Sequence, residues 1–173
     1  MTRVYVALNR AELAGLASRA VRDDRSAFGV TPALRSAYAQ AGVDDEEELE
    51  YVAMTVAARV SLTRLDVRDP QDRRRIVVAA DAELRSPGNA AGPAPDAGGQ
   101  PTHPAGVHLL APVVLAAVVS VHVDTDDVHA LVDAAVQALP AAADGDAAAM
   151  ATVDVLDSED LAWYAVQELR DLL

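Results

Sequence analysis

The sequence predicts a single α+β domain, residues 1–173, in which four or more helices cover a mixed sheet of about five strands. Side chains in residues 4–8 alternate with the period of two that a strand requires. Residues 109–124 form the most apolar run and are rich in Val, which favours buried strands. Residues 44–65 carry apolar stripes at helical spacing. A sheet with helices packed against it buries all three stretches.

Capping residues define the starts of several helices. Asn9 precedes a helical stripe, and Glu12 follows three residues later in the position of a capping box. Thr31-Pro32 combines a capping side chain with a proline at the first helical position. Pro140 is expected to end the last of the four main helices. These helices are predicted at residues 10–21, 32–41, 44–65 and 125–139.

Further strands are predicted from short apolar runs. Residues 76–80 read as an interior strand, and residues 118–123 as the second of one or two strands in the central apolar run. Residues 26–30 are an extended link that could form another strand. Residues 161–166 are ambiguous, because their capping chemistry suggests a helix whereas the Trp-Tyr pair suggests a strand, which we favour.

Residues 86–105 are rich in Pro, Gly and Ala and show no periodicity. Such a composition buries too little apolar surface to offset the entropy of ordering. We therefore expect a flexible insertion loop between two strands of one sheet, within the single domain.

The composition excludes many common enzyme classes. The chain has no Cys, so it lacks thiolate nucleophiles, zinc ribbons and iron–sulfur ligands. It also has no Lys, which excludes a Walker-A lysine and a Schiff-base lysine. No nucleophile-elbow, dinucleotide-binding or zinc-protease motif occurs. No known motif in the sequence therefore identifies a catalytic residue, a cofactor-binding residue or a metal ligand.

The formal net charge is −13 and it is concentrated in one half of the chain. Residues 86–173 contain one Arg and 13 carboxylates, whereas residues 1–85 are almost balanced. A chain of this charge is expected to bind neither nucleic acid nor anionic membranes. The acidic half either keeps the protein in solution or attracts a protein partner of opposite charge. Without a signal-peptide pattern, the expected location is cytoplasmic.

Two groups of side chains are of types that can bind a ligand or take part in catalysis. His122, Asp124 and His129 could converge on a metal or ligand, although Asp residues at a helix start are more often caps. Arg68 and Arg73–75 could bind an anion, but we favour the interpretation that they neutralise the acidic half of the same molecule or simply lie in solvent.

Trp163 and Tyr164 are the candidate partner-binding residues. A lone Trp in an aromatic-poor chain can anchor an interface, because large rings contribute disproportionately to binding. It can equally fill a core made of small side chains, with its N–H bonded to a carbonyl. We favour the core position for Trp163.

Five stretches carry a family resemblance: Arg3-Val4-Tyr5-Val6, Thr31-Pro32-Ala33-Leu34-Arg35, Asp45-Glu46-Glu47-Glu48-Leu49-Glu50-Tyr51, Ser120-Val121-His122-Val123-Asp124 and Leu161-Ala162-Trp163-Tyr164. Together they resemble an uncharacterised family of small proteins from high-GC bacteria, domain of unknown function 6912. The resemblance covers nearly the whole chain outside residues 86–105 and 140–150. The family often has Pro at position 7 and Asp at position 165, both Ala here, so a site needing that carboxylate is in doubt. No activity follows from the resemblance.

The function is therefore unknown from sequence, and two hypotheses are carried forward. The first is a non-catalytic interaction or regulatory module that binds a protein partner through its acidic C-terminal half. The alternative is a small enzyme or ligand-binding protein that uses His122, Asp124 and His129, or the Arg68 and Arg73–75 cluster. A convergent pocket would favour the second hypothesis, and dispersal of these side chains the first. The sequence leaves a homo-oligomer open.

Overall fold

The computed structural model describes residues 1–18, 20–21, 27–66, 69, 71–85 and 103–173. Its helices are α1 (Arg10–Ser18), α2 (Pro32–Ala39), α3 (Glu46–Thr63), α4 (His129–Ala143) and α5 (Ala147–Asp157). Its strands are β1 (Thr2–Leu8), β2 (Ala20–Val21), β3 (Ala27–Phe28), β4 (Ile76–Ala82), β5 (Val113–Val114), β6 (Val118–Val123) and β7 (Ala162–Ala165).

Five strands form the main sheet in the order β3-β1-β4-β6-β7, which confirms the α+β class. All four ladders are antiparallel, so the prediction of a mixed sheet is corrected. The reason is the connectivity: two helices, α4 and α5, join β6 to β7 and pack against each other. A helical hairpin returns the chain to the end of the sheet from which it left, so the next strand runs antiparallel.

Helices α2 and α3 cover one face of the sheet. Val77 on β4 packs there in a cluster with Leu49 and Ala53 of α3 and Leu34 of α2. Helix α3 lies over β3, β1 and β4. The strands β6 and β7 continue the sheet beyond this helix, so the face is only partly covered.

The opposite face buries a second set of strand residues. Val6, Val78 and Val121 pack with Leu13 of α1 and with Leu169 in the 3₁₀ segment Val166–Leu172. A third cluster joins the end of α3 to the α4–α5 hairpin. The described part of the chain thus has three apolar clusters around the main sheet.

The predicted helix caps are confirmed. The N–H of Glu12 donates to Asn9 Oδ1, and the N–H of Asn9 donates to Glu12 Oε2, both at 2.9 Å. The N–H of Leu34 donates to Thr31 Oγ1 at 3.0 Å, with Pro32 at the first helical position. These contacts satisfy N–H groups that a helix start otherwise leaves unpaired.

Helix ends are less well predicted. Helix α1 ends at Ser18, because Ala20 and Val21 pair with β5 instead of continuing the helix to residue 21. Pro140 does not end α4, which continues to Ala143. Proline removes one helical hydrogen bond and crowds the carbonyl four residues before it, and the helix continues for only one more turn after Pro140. The helix ends before Gly145, whose φ of +88° favours glycine.

Residues 103–105 close onto the fold at the end of the predicted loop. The N–H of Gly29 donates to the Ala105 carbonyl at 2.8 Å, and the Ala105 side chain is buried. The rest of the predicted loop, residues 86–102, lies outside the described residues. The favoured strand at 161–166 is confirmed as β7, and the 3₁₀ segment Val166–Leu172 follows it.

Candidate functional site

Arg75 and Asp124 form a buried ion pair between the start of β4 and the end of β6. Arg75 Nη2 lies 2.8 Å from Asp124 Oδ1, and the Arg75 N–H donates to Asp124 Oδ2 at 2.7 Å. Arg75 Nη2 also donates to the Glu159 carbonyl at 2.9 Å. The two side chains are 1% and 0% exposed. Asp124 is therefore neither a cap nor free to hold a metal or substrate.

The other predicted Arg residues neutralise carboxylates of the acidic half. Arg73 pairs with Asp133 and Arg74 pairs with Asp126, each at 3.0 Å. Arg68 lies outside the described residues. Arg73 and Arg74 therefore pair within the molecule, in agreement with the interpretation favoured from the sequence.

The predicted histidine group does not assemble. His122 projects from the sheet face that α3 partly covers, whereas His129 lies at the start of α4, 3.5 Å from Asp126 Oδ1. His129 lines an open cavity of about 400 Å³ with Arg73 and Arg74. Among the residues that the structure describes, no group of three His, Asp or Glu side chains could hold a metal ion.

Ser120 and His122 form a second polar pair, which the sequence analysis did not single out. Ser120 Oγ lies 3.0 Å from His122 Nε2, and burial lowers the pKa of His122 below its ordinary value. Ser120 is buried, with only 4% of its surface exposed. Asp124 is bound to Arg75, and Ala165 is the residue opposite Ser120. Neither position 124 nor position 165 therefore supplies the orienting carboxylate that a catalytic triad requires.

Trp163 lies on the terminal strand of the sheet, directly opposite His122. It is 62% exposed, so the favoured prediction that it fills the core is wrong. Residues opposite each other in a ladder project to the same face. Val77, His122 and Trp163 therefore form a row on the face of α3, and the row ends at Trp163, beyond the strands that α3 covers.

Tyr164 takes the other face of β7 because neighbouring side chains of a strand alternate. It pairs with Val121 in the ladder and packs, half-buried, against the cluster that contains Leu169. Of the two aromatic residues predicted to bind a partner, Trp163 is the one presented to solvent.

Carboxylates lie at both ends of β7. Glu168 Oε2 accepts a hydrogen bond from the N–H of Ala165 at 2.8 Å. Asp160 precedes the strand, and its Oδ1 accepts a hydrogen bond from the Tyr51 hydroxyl group at 2.8 Å, which raises the pKa of Tyr51. Glu159 is also exposed. Trp163 therefore lies between acidic side chains.

The sequence did not reveal that β7 is an outer strand, because strand order depends on the whole chain. A short strand with one exposed aromatic residue has the same local pattern as an interior strand. The sequence did contain one indication of an exposed segment. Carboxylates at positions 159, 160 and 168 flank the Trp-Tyr pair.

None of the helices within the described ranges is both long and apolar enough to cross a membrane. Comparisons with curated proteins and with solved structures give no match. A family model matches residues 2–173, nearly the entire chain. By this match, the chain belongs to DUF6912, a family of unknown function.

Proposed function

We propose that the protein is a non-catalytic interaction module that binds a polypeptide partner at β7, with Trp163 as the anchor. The observation that carries this proposal is the 62% exposure of Trp163 on the terminal strand of the main sheet. Exposing an indole to water costs free energy, and this free energy is recovered when a partner covers the ring.

The position of Trp163 supports a protein ligand. Trp is enriched among the residues that dominate binding free energy at protein interfaces. The outer strand of a sheet also presents backbone groups that another chain can bind. Exposed aromatic surface and an outer strand coincide at β7, and the flanking carboxylates add electrostatic attraction for a basic partner.

The alternative hypothesis of a ligand-binding protein retains one supporting feature, the cavity beside Arg73, Arg74 and His129. Both Arg side chains are paired with carboxylates there, so little positive charge is left for an anionic ligand. An increase in Tm with inorganic phosphate that Arg74→Gln abolishes would favour this alternative. We expect phosphate to leave Tm unchanged.

Site-specific photo-crosslinking in the native cell tests the interaction module. Replacing Trp163 by a photoreactive phenylalanine analogue keeps an aromatic side chain at the anchor position. We expect a discrete adduct with one polypeptide. Met150 on α5 is a matched control because it is also exposed and carries a large apolar side chain. No adduct at position 163, or the same adducts at both positions, would contradict the proposal.

A further inference from the structure

We infer that the partner of β7 is a basic, extended segment that adds to the sheet as an antiparallel or parallel strand. This inference rests on the proposed function and specifies the chemistry of its partner. The backbone of β7 and the charges at its two ends carry it.

The direction of the backbone groups follows from one hydrogen bond. The N–H of Ala165 donates to Glu168, so it points away from β6. Backbone groups alternate in direction along a strand, and residues two apart point the same way. The N–H and C=O of Trp163 therefore also point away from β6. Another strand could bind there through the backbone while its side chains contact the indole.

The negative charge at both ends of this edge favours the binding of a basic segment. The Glu168 carboxylate lies at one end of β7, while Asp160 and Glu159 lie at the other. Between them, the indole face can accept a guanidinium or ammonium group by a cation–π contact. An extended segment with Arg or Lys at alternating positions would match both the carboxylates and Trp163.

A second copy of this chain fits the same edge poorly. Pairing β7 with β7 would bring the carboxylates of both copies together, and each chain has a net charge of −13. Like charges across an interface oppose association. The structure thus favours a different, basic chain at this position.

Amide hydrogen exchange of the full chain tests the inference with a synthetic peptide in which Arg and Val alternate. Bound as a strand, the peptide should slow exchange at the Trp163 amide by about tenfold or more, since this amide becomes hydrogen-bonded. The Tyr164 amide points towards β6 already and should change little. A peptide of equal charge with every backbone amide N-methylated should not protect Trp163, because it has no N–H to donate and its methyl groups block both edges.

Charge variants separate specific binding from general attraction. Glu168→Gln and Asp160→Asn keep an oxygen acceptor but remove the charge, and each should weaken peptide binding about twofold to fivefold. Asp144→Asn, in the exposed turn between α4 and α5, is the control and should bind like the unmodified chain.

Several results would overturn the inference. Equal protection by the N-methylated peptide would exclude strand addition, and equal binding by a Glu-Val peptide would exclude the basic chemistry. A cross-link at position 163 to a second copy, or to a helical segment of another protein, would refute the basic strand and leave the interaction module intact. Absence of any cross-link would contradict the proposed function itself.

Discussion

At the scale of single residues, the Arg75–Asp124 pair is a polar constraint buried inside the fold. Both Asp124 oxygens are engaged by Arg75, and the guanidinium also reaches the Glu159 carbonyl. The pair thereby ties β4, β6 and the segment before β7 together. Arg75 and Asp124, which the sequence offered as candidate ligands, therefore stabilise the fold instead.

Asp124→Asn should destabilise the protein by about 3–5 kcal/mol, because it leaves the Arg75 charge buried without its main partner. Urea denaturation measures this change. Replacing both residues, Arg75→Met with Asp124→Leu, should recover part of the loss, since apolar groups of similar size often substitute for a buried pair. Recovery is incomplete because the N–H of residue 75 and the Glu159 carbonyl lose their partners. Asp126→Asn is the matched control, because its side chain is 79% exposed. Equal effects of Asp124→Asn and Asp126→Asn would contradict this assignment.

His122 should make stability depend on pH. Burial lowers its pKa in the native state below the ordinary value of 6.5, so the unfolded chain binds more protons between these two values. The part of the unfolding free energy that depends on neutral His122 is therefore fully present above pH 6.5, and it is lost as pH drops below this value. His122→Gln should reduce the slope of unfolding free energy against pH, measured by urea denaturation between about pH 7 and 5.

His103 provides the comparison for this experiment. Burial also lowers the pKa of His103, so His103→Gln should remove a separate part of the slope. Slopes are compared because each substitution also changes packing at every pH. An unchanged slope in His122→Gln would show that this imidazole is not buried in solution.

At the scale of elements, Ser61 joins α3 to the sheet. Its hydroxyl group donates to the Leu8 carbonyl at 2.6 Å and accepts from the N–H of Ile76 at 2.8 Å. Leu8 and Ile76 are partners at the end of the β1–β4 ladder. A buried hydroxyl group within an apolar helix face thus satisfies one backbone group on each central strand.

Ser61→Ala should cost about 1–3 kcal/mol, because it leaves a buried carbonyl and a buried N–H unsatisfied. Thr63→Ala is the control in the same helix, since Thr63 is exposed and its hydroxyl group donates to the Val60 carbonyl within that helix. Amide exchange at Ile76 should accelerate in Ser61→Ala and not in Thr63→Ala. If both variants unfold at the same urea concentration, Ser61 does not anchor the helix.

At the scale of the whole molecule, coverage of the sheet is uneven. Helix α3 lies over the β3, β1 and β4 side, and the α4–α5 hairpin packs against the end of α3. The outer strand β7 is left with its Trp163 side chain in solvent and carboxylates at both ends. This asymmetry directs the functional proposal to β7.

Trp163→Ala should change the free energy of unfolding by less than about 0.5 kcal/mol, because the substitution is on the surface. Trp163 is the single Trp, so native fluorescence reports on this position alone. We expect red-shifted emission that acrylamide quenches readily. Acrylamide is preferable to iodide, because the acidic surroundings would repel an anionic quencher.

A dilution series completes the fluorescence experiment, since self-association through β7 would shield the indole at high concentration. Emission that is blue-shifted and protected at every concentration, together with a destabilised Trp163→Ala variant, would place the side chain in the core and contradict the structure.

Local patterns were sufficient for much of the fold. Alternation predicted β1, and continuous apolar runs predicted β4 and β6. Burial of one or both faces of a strand requires a characteristic spacing of apolar residues, which can be read from the sequence. The caps at Asn9 and Thr31 were also predictable, since a capping side chain bonds within three residues of itself. Helix ends were predicted less well, because Ala20 and Val21 pair with a strand far along the chain.

The sequence by itself determined the α+β class, the central strands, the acidic charge and the absence of Cys and Lys chemistry. These properties depend on composition and on contacts between near neighbours. The tertiary structure alone decided that the sheet is antiparallel, that Arg75 is paired with Asp124, and that Trp163 faces solvent. Strand order and the path of the α4–α5 hairpin set these features, and both depend on contacts between residues far apart in the chain. Whether a side chain is exposed depends on which other parts of the chain pack over it, and a local sequence pattern does not specify those parts.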